Sequence, residues 1–146
     1  MTINTPVTNS INILLVDDDD GDVKAVRRAF MKAKIANPIE RAIDGVHALE
    51  ILRGTNGSNK ILAPYLLLAD LNMPRMNGIE LVREIRADPV LHPALVFMLT
   101  TSKRDEDKLA AYSLNIAGYI LKEKAGNDFV SLVTLMDTYW RIVEIP

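Results

Sequence analysis

The chain of 146 residues contains no cysteine, which excludes disulfides, thiolate nucleophiles and zinc–thiolate sites and fits a reducing compartment. It also lacks a long hydrophobic run. The longest, Ile61 to Ala69, is broken by Pro64 and is too short to cross a bilayer. Met1 to Asn12 has neither the basic start nor the apolar middle of a secretory signal. Charge of one sign is lacking too: a formal net charge of -2 gives no general pull toward nucleic acid or an anionic membrane. No internal repeat, low-complexity tract or linker to a second domain is visible. These absences point to a cytoplasmic protein with a flexible segment at 1–10 and one domain over 11–146. Hydrophobic residues make up 49% of it, enough to build a core and to argue against disorder.

What is present is an alternation. Short apolar runs predict strands at 11–17, 38–43, 65–70, 95–100 and 117–121. Helical patterns predict helices at 22–36, 45–53, 78–87, 104–114 and 127–143. Continuous apolar strands alternating with helices imply a parallel sheet covered on both faces. Five such units favour an α/β, flavodoxin-like (βα)5 fold, a doubly wound sheet of order 2-1-3-4-5. Asn77 is placed to cap the third helix, with Glu80 and Glu84 toward its positive end. Gly54 to Lys60 reads as a surface loop without a catalytic role. His47 and His92 read as ordinary helix and turn residues.

The strand ends carry the chemistry. Asp17-Asp18 follow the first strand, Asp70 the third, Thr100 the fourth and Lys122 the fifth. In an open parallel sheet these ends share one crevice, where ligands bind. Strand 2, at an edge, ends in Ile43-Asp44-Gly45 and shows no obvious chemistry. Asp19 and Asp20 read as a solvated turn and helix cap, yet four adjacent carboxylates repel unless a cation sits among them. An EF-hand fails: aligning Gly21 with the loop glycine puts Val16 first and Arg27 last. A carboxylate such as Asp70 can act as nucleophile toward a phosphoryl group. A hard cation on the acidic pair and the Lys122 ammonium would then neutralise charge, and Thr100 could hydrogen-bond a phosphoryl oxygen.

With those residues in place, the chain resembles the receiver domain of two-component response regulators from about Ile11 to Tyr139. The resemblance lies in Asp17-Asp18, in Asp70-Leu71-Asn72-Met73-Pro74-Arg75-Met76-Asn77-Gly78, in Leu99-Thr100-Thr101-Ser102 and in Gly118-Tyr119-Ile120-Leu121-Lys122. It implies that Asp70 is phosphorylated by a sensor histidine kinase. Mg2+ would be held by Asp18, Asp70 and the backbone carbonyl of Asn72, with Asp17 helping through water. Thr100 would move toward the phosphoryl group with Thr101 beside it, Tyr119 would turn inward, and Lys122 would pair with phosphoryl oxygens. More narrowly, Leu99 to Ser102, the long loop after helix 2 and the ending Tyr139 to Pro146 resemble stand-alone regulators of bacterial phytochrome kinases, which implies a bacteriophytochrome partner. One departure is Glu123, where the family usually has proline. Either a trans peptide with a rearranged loop or a strained cis bond is therefore expected.

With the sequence ending at Pro146, output is expected through binding or as a step toward a downstream phosphotransfer protein. Phe129, Leu132, Val133, Met136, Trp140 and Val143 make one apolar stripe on helix 5, and Leu135, Tyr139 and Ile142 a second. The second stripe and Ile145 are candidates for a homodimer interface. Two rival functions are open to such a chain. A haloacid dehalogenase-type phosphatase would need an aspartate where Asn72 stands, and a degenerate receiver that binds without phosphorylation is favoured only by Glu123, against the complete set of Asp18, Asp70, Thr100 and Lys122.

Overall fold

The computed structural model describes residues 11–146, so the flexible segment expected at 1–10 lies outside the described residues. Five parallel strands form one sheet of order β2-β1-β3-β4-β5, as expected. They are β1 (Asn12–Val16), β2 (Ile39–Ala42), β3 (Tyr65–Ala69), β4 (Leu95–Thr100) and β5 (Gly118–Leu121). The helices are α1 (Asp20–Lys32), α2 (Gly45–Arg53), α3 (Gly78–Ala87), α4 (Asp105–Tyr112) and α5 (Val130–Ile142). None of them is long and apolar enough to cross a membrane.

The two faces of the sheet follow from side-chain alternation along the strands. Leu14, Val16, Leu67, Ala69, Val96 and Met98 point into one core with α2, α3 and α4. Ile13, Leu15, Leu66, Leu68, Phe97 and Leu99 point into the other, with α1 and α5. Each fully buried leucine contributes roughly 1.5–3 kcal/mol relative to exposure.

Helix boundaries follow local chemistry. The first helix begins at Asp20, two residues before the sequence pattern places it, because the Asp19 carboxylate accepts the Gly21 and Asp22 N–H groups at 2.8 and 3.2 Å. It ends early, at Lys32, since Lys34 turns left-handed at φ 59. Asn77 and Glu80 form a reciprocal capping box on α3. Gly54 closes α2 in the left-handed region at φ 69, a conformation that favours glycine.

The largest departure follows β5. Among the described residues the only cis peptide is Ala63–Pro64, so Lys122–Glu123 is trans. A 3-10 turn over Lys122–Lys124, a second over Asn127–Phe129 and a left-handed Phe129 then carry the chain into α5 at Val130. The rearranged loop is the first of the two expected outcomes. Phe129, Leu132, Val133, Met136 and Trp140 are buried as the inner stripe requires. Val143 is not: it lies past the helix end and is 38% exposed, which corrects its placement in that stripe.

Candidate functional site

Backbone pairing delivers the site residues to one place. Val16 pairs with Ala69, Ala69 with Met98, and Thr100 with Leu121, so the next residues of β1, β3 and β5 emerge together. The ladder reaches the site itself: Asp17 N–H donates to Ala42 O at 3.0 Å and Asp70 N–H to Val16 O at 2.8 Å. Backbone pairing therefore fixes where both side chains leave the sheet.

Asp17, Asp18 and Asp70 each offer an oxygen within 4.8 Å of the others. Asp17 and Asp70 are buried and Asp18 is exposed. These three carboxylates would be the ones to hold a Mg2+-sized ion, which takes oxygen ligands. The donor set is all oxygen and strongly acidic, which fits a hard divalent cation.

Lys122 stands opposite. Its Nζ donates to Asp17 Oδ2 at 3.1 Å, to Asp70 Oδ2 at 3.2 Å and to Asp22 Oδ2 at 2.6 Å. Burial alone would lower its pKa, but the hydrogen bond to Asp22 and the charges of Asp17 and Asp70 outweigh it and hold the ammonium above the ordinary lysine range. Burial pushes the Asp70 carboxyl up, with Lys122 pulling back down. Asp17 is raised for the same reason, against the Asp19 N–H it accepts at 2.9 Å and the nearby ammonium. In both carboxylates burial outweighs the pull of Lys122.

Thr100 is fully buried, and its Oγ1 accepts the Ser102 N–H at 3.1 Å. Thr101 is exposed. Tyr119 is half-buried against the α2–α4 core, and its hydroxyl donates to Ser102 O at 3.0 Å. Asn72 N–H meets Asp70 Oδ1 at a long 3.4 Å. Gly78 lies so close beneath the site that a Cβ there would stand 2.4 Å from Asp70 O, so glycine is required.

Three contributors were not legible in the sequence. Asp22, in the first turn of α1, is Lys122's shortest partner, yet nothing local ties it to a residue a hundred positions away. Strand 2 also does more than its sequence suggests. Arg41 donates to Asp17 O at 2.9 Å and pairs with Asp20 at 2.9 Å, fixing the β1–α1 loop. Asp44, buried, accepts two bonds from Arg75 at 2.7 and 3.0 Å and caps α2 through the His47 N–H, fixing the loop after β3. His47 turns its Nδ1 to the Ile43 N–H at 3.1 Å, away from the site, as the sequence suggests.

A doubly wound five-stranded sheet with an acidic crevice facing a lysine defines a class, and the sequence falls within it: residues 13–134 match the response regulator receiver domain, and the chain belongs to that family. Its relatives narrow the kinship. Response regulator Rcp1 of Synechocystis sp. is 30% identical over 128 residues, spanning 88% of this chain and 87% of that protein. The crystal structure of its Mn2+-bound form superposes with a TM-score of 0.79 at 29% identity, over 93% of this chain and 99% of that one. The phosphorylated cyanobacterial phytochrome response regulator RcpA gives 0.83 at 28% identity, over 93% and 98%.

Proposed function

We propose that this receiver domain is a phosphorylation switch in which Asp70 accepts a phosphoryl group from a sensor histidine kinase of the phytochrome type. The observation that carries the reading is the Lys122 ammonium joined to Asp70 and Asp17 beside the Asp17–Asp18–Asp70 oxygen cluster. An Asp70 oxygen attacks phosphorus as the P–N bond of the kinase phosphohistidine breaks, and the imidazole leaves with the bonding pair. Asp18, Asp70 and the Asn72 carbonyl, with Asp17 nearby, would hold Mg2+, which would supply charge neutralisation when bound. Lys122 binds the phosphoryl oxygens from the other side. The Thr100 hydroxyl, at the end of β4, would donate to one of them. The group adds about -1.5 to -2 charge, and Thr100 and Tyr119 carry its effect to the α4–β5 surface.

The phytochrome link rests on RcpA, and a role in light sensing is supported by response regulator RPA3017 in red light signaling of R. palustris, at a TM-score of 0.78 and 28% identity. A histidine kinase of this kind would meet the protein in the cytoplasm. Output would pass through a homodimer or a downstream phosphotransfer protein. Leu135 and Ile142 remain the dimer candidates, at 44% and 76% exposed. Tyr139 instead stands edge-on to Phe97 at 5.1 Å, and Ile145 packs on the α1–α5 core, so both already have partners within the chain.

Incubation with acetyl phosphate and Mg2+ followed by intact mass and peptide mapping tests the assignment. One phosphoryl group on Asp70 is expected. A folded protein with no adduct, or an Asp70→Asn variant modified equally well, would falsify it.

A further inference from the structure

We propose that Asp22 is a resting-state latch on Lys122, a carboxylate that competes with the phosphoryl group for the ammonium and so sets how tightly the switch holds its active state. The inference rests on the phosphoacceptor reading above. A lysine ammonium has three N–H donors and accepts nothing. Here Asp17, Asp22 and Asp70 account for all three. A phosphoryl oxygen arriving on Asp70 can reach Lys122 only if one present acceptor gives way.

The three acceptors are not equivalent. Asp17 and Asp70 belong to the oxygen cluster that fits a cation, and their side chains are 2% and 11% exposed. Asp22 stands outside that cluster, on α1, and is 29% exposed, so water can replace the ammonium when the contact breaks. It also makes the shortest of the three contacts, at 2.6 Å. Its helix is anchored away from the site by Val23, Val26, Ala29 and Phe30 in the core. The carboxylate therefore stays in place while Lys122 moves. Once a cation neutralises Asp17 and Asp70, Asp22 is the remaining unneutralised anion in contact with the ammonium. Breaking that contact is a cost charged only to the phosphorylated state.

The test is the affinity of the Mg2+-loaded protein for beryllofluoride, a phosphoryl stand-in, by calorimetry, with the lifetime of the acetyl phosphate-generated adduct as a second readout. Asp22→Asn keeps the shape and removes the charge. It should bind beryllofluoride roughly three- to tenfold more tightly, the range expected for a partly solvated ion pair, and should lengthen the adduct lifetime. Unchanged or weaker binding would overturn the latch and make Asp22 a support for Lys122. A double-mutant cycle separates contact from bulk charge. Mg2+ affinity without fluoride should fall in Asp22→Asn, because the released ammonium sits more firmly on Asp17 and Asp70, and should not change when the same substitution is made in Lys122→Ala. A shift of equal size in both backgrounds would overturn the proposal. If wild-type protein binds Mg2+ but takes neither beryllofluoride nor phosphate, the phosphoacceptor reading fails, while the Mg2+ cycle still reports on the latch contact.

Discussion

At the scale of the single residue, Asp70 and Lys122 should respond to mutation with opposite signs. Burial raises the Asp70 carboxyl, so in the metal-free protein its charge is a burden that Lys122 only partly relieves. Asp70→Asn should raise metal-free stability by on the order of 1 kcal/mol, a few degrees in Tm, readable by thermal denaturation in EDTA. Lys122→Ala should do the reverse, because it leaves Asp17 and Asp70 buried without their cation. A loss of about 2–4 kcal/mol is expected, largely recovered on adding Mg2+. That variant should still accept phosphate on Asp70 but switch poorly. If it is as stable as wild type in EDTA, the ammonium is not what holds the acidic crevice together. Glu123, in contrast, pairs with Lys103 at 2.8 Å with both side chains exposed, a contact of little energetic weight.

At the scale of elements, the site is two loops held by an edge strand. Gly78→Ala would drive a methyl into the Asp70 carbonyl, and α3 must shift to admit it. Acetyl phosphate labelling should therefore fall severalfold while the far-ultraviolet circular dichroism persists. Asp44 offers a pH signature. Burial would raise its pKa, but the Arg75 hydrogen bonds and the His47 N–H lower it below the ordinary aspartate value. A depressed folded pKa gives stability that is present above the unfolded pKa, about 4, and is lost as pH falls through the folded one. Asp44→Ala should lose about 1–2 kcal/mol at neutral pH through the missing cap. Its deficit should shrink below pH 4, where wild type forfeits the same contribution. Urea unfolding at pH 6 and pH 3 checks this, and a deficit independent of pH would remove Asp44 from the clamp.

At the scale of the whole molecule, the apolar surface left on α5 is narrower than the sequence pattern implies. Tyr139 on the helix and Ile145 beyond its end are partly buried, while Val130, Leu135 and Ile142 remain outward. If the phosphorylated protein assembles through this face, Leu135→Asp with Ile142→Asp should keep it monomeric in sedimentation, with phosphorylation unaffected. An unchanged assembly state would place the interface elsewhere. Met31, Leu62, Val90 and Leu109 are also well exposed, yet they are scattered over α1, α4 and separate loops.

The alternation of apolar runs with helical patterns, and the placing of Asp17, Asp18, Asp70, Thr100 and Lys122 at strand ends, determined the fold and most of the crevice. These signals are local: period, strand length and the residue that follows each strand. Tertiary structure alone decided what those residues face. Asp22 meets Lys122, Arg41 meets the Asp17 carbonyl and Asp44 meets Arg75 only because parallel strands from distant parts of the chain end side by side. The trans peptide after Lys122 is the local default before a non-proline residue, but the path of the loop was a packing decision, since Ala125 and Phe129 are buried and draw it inward.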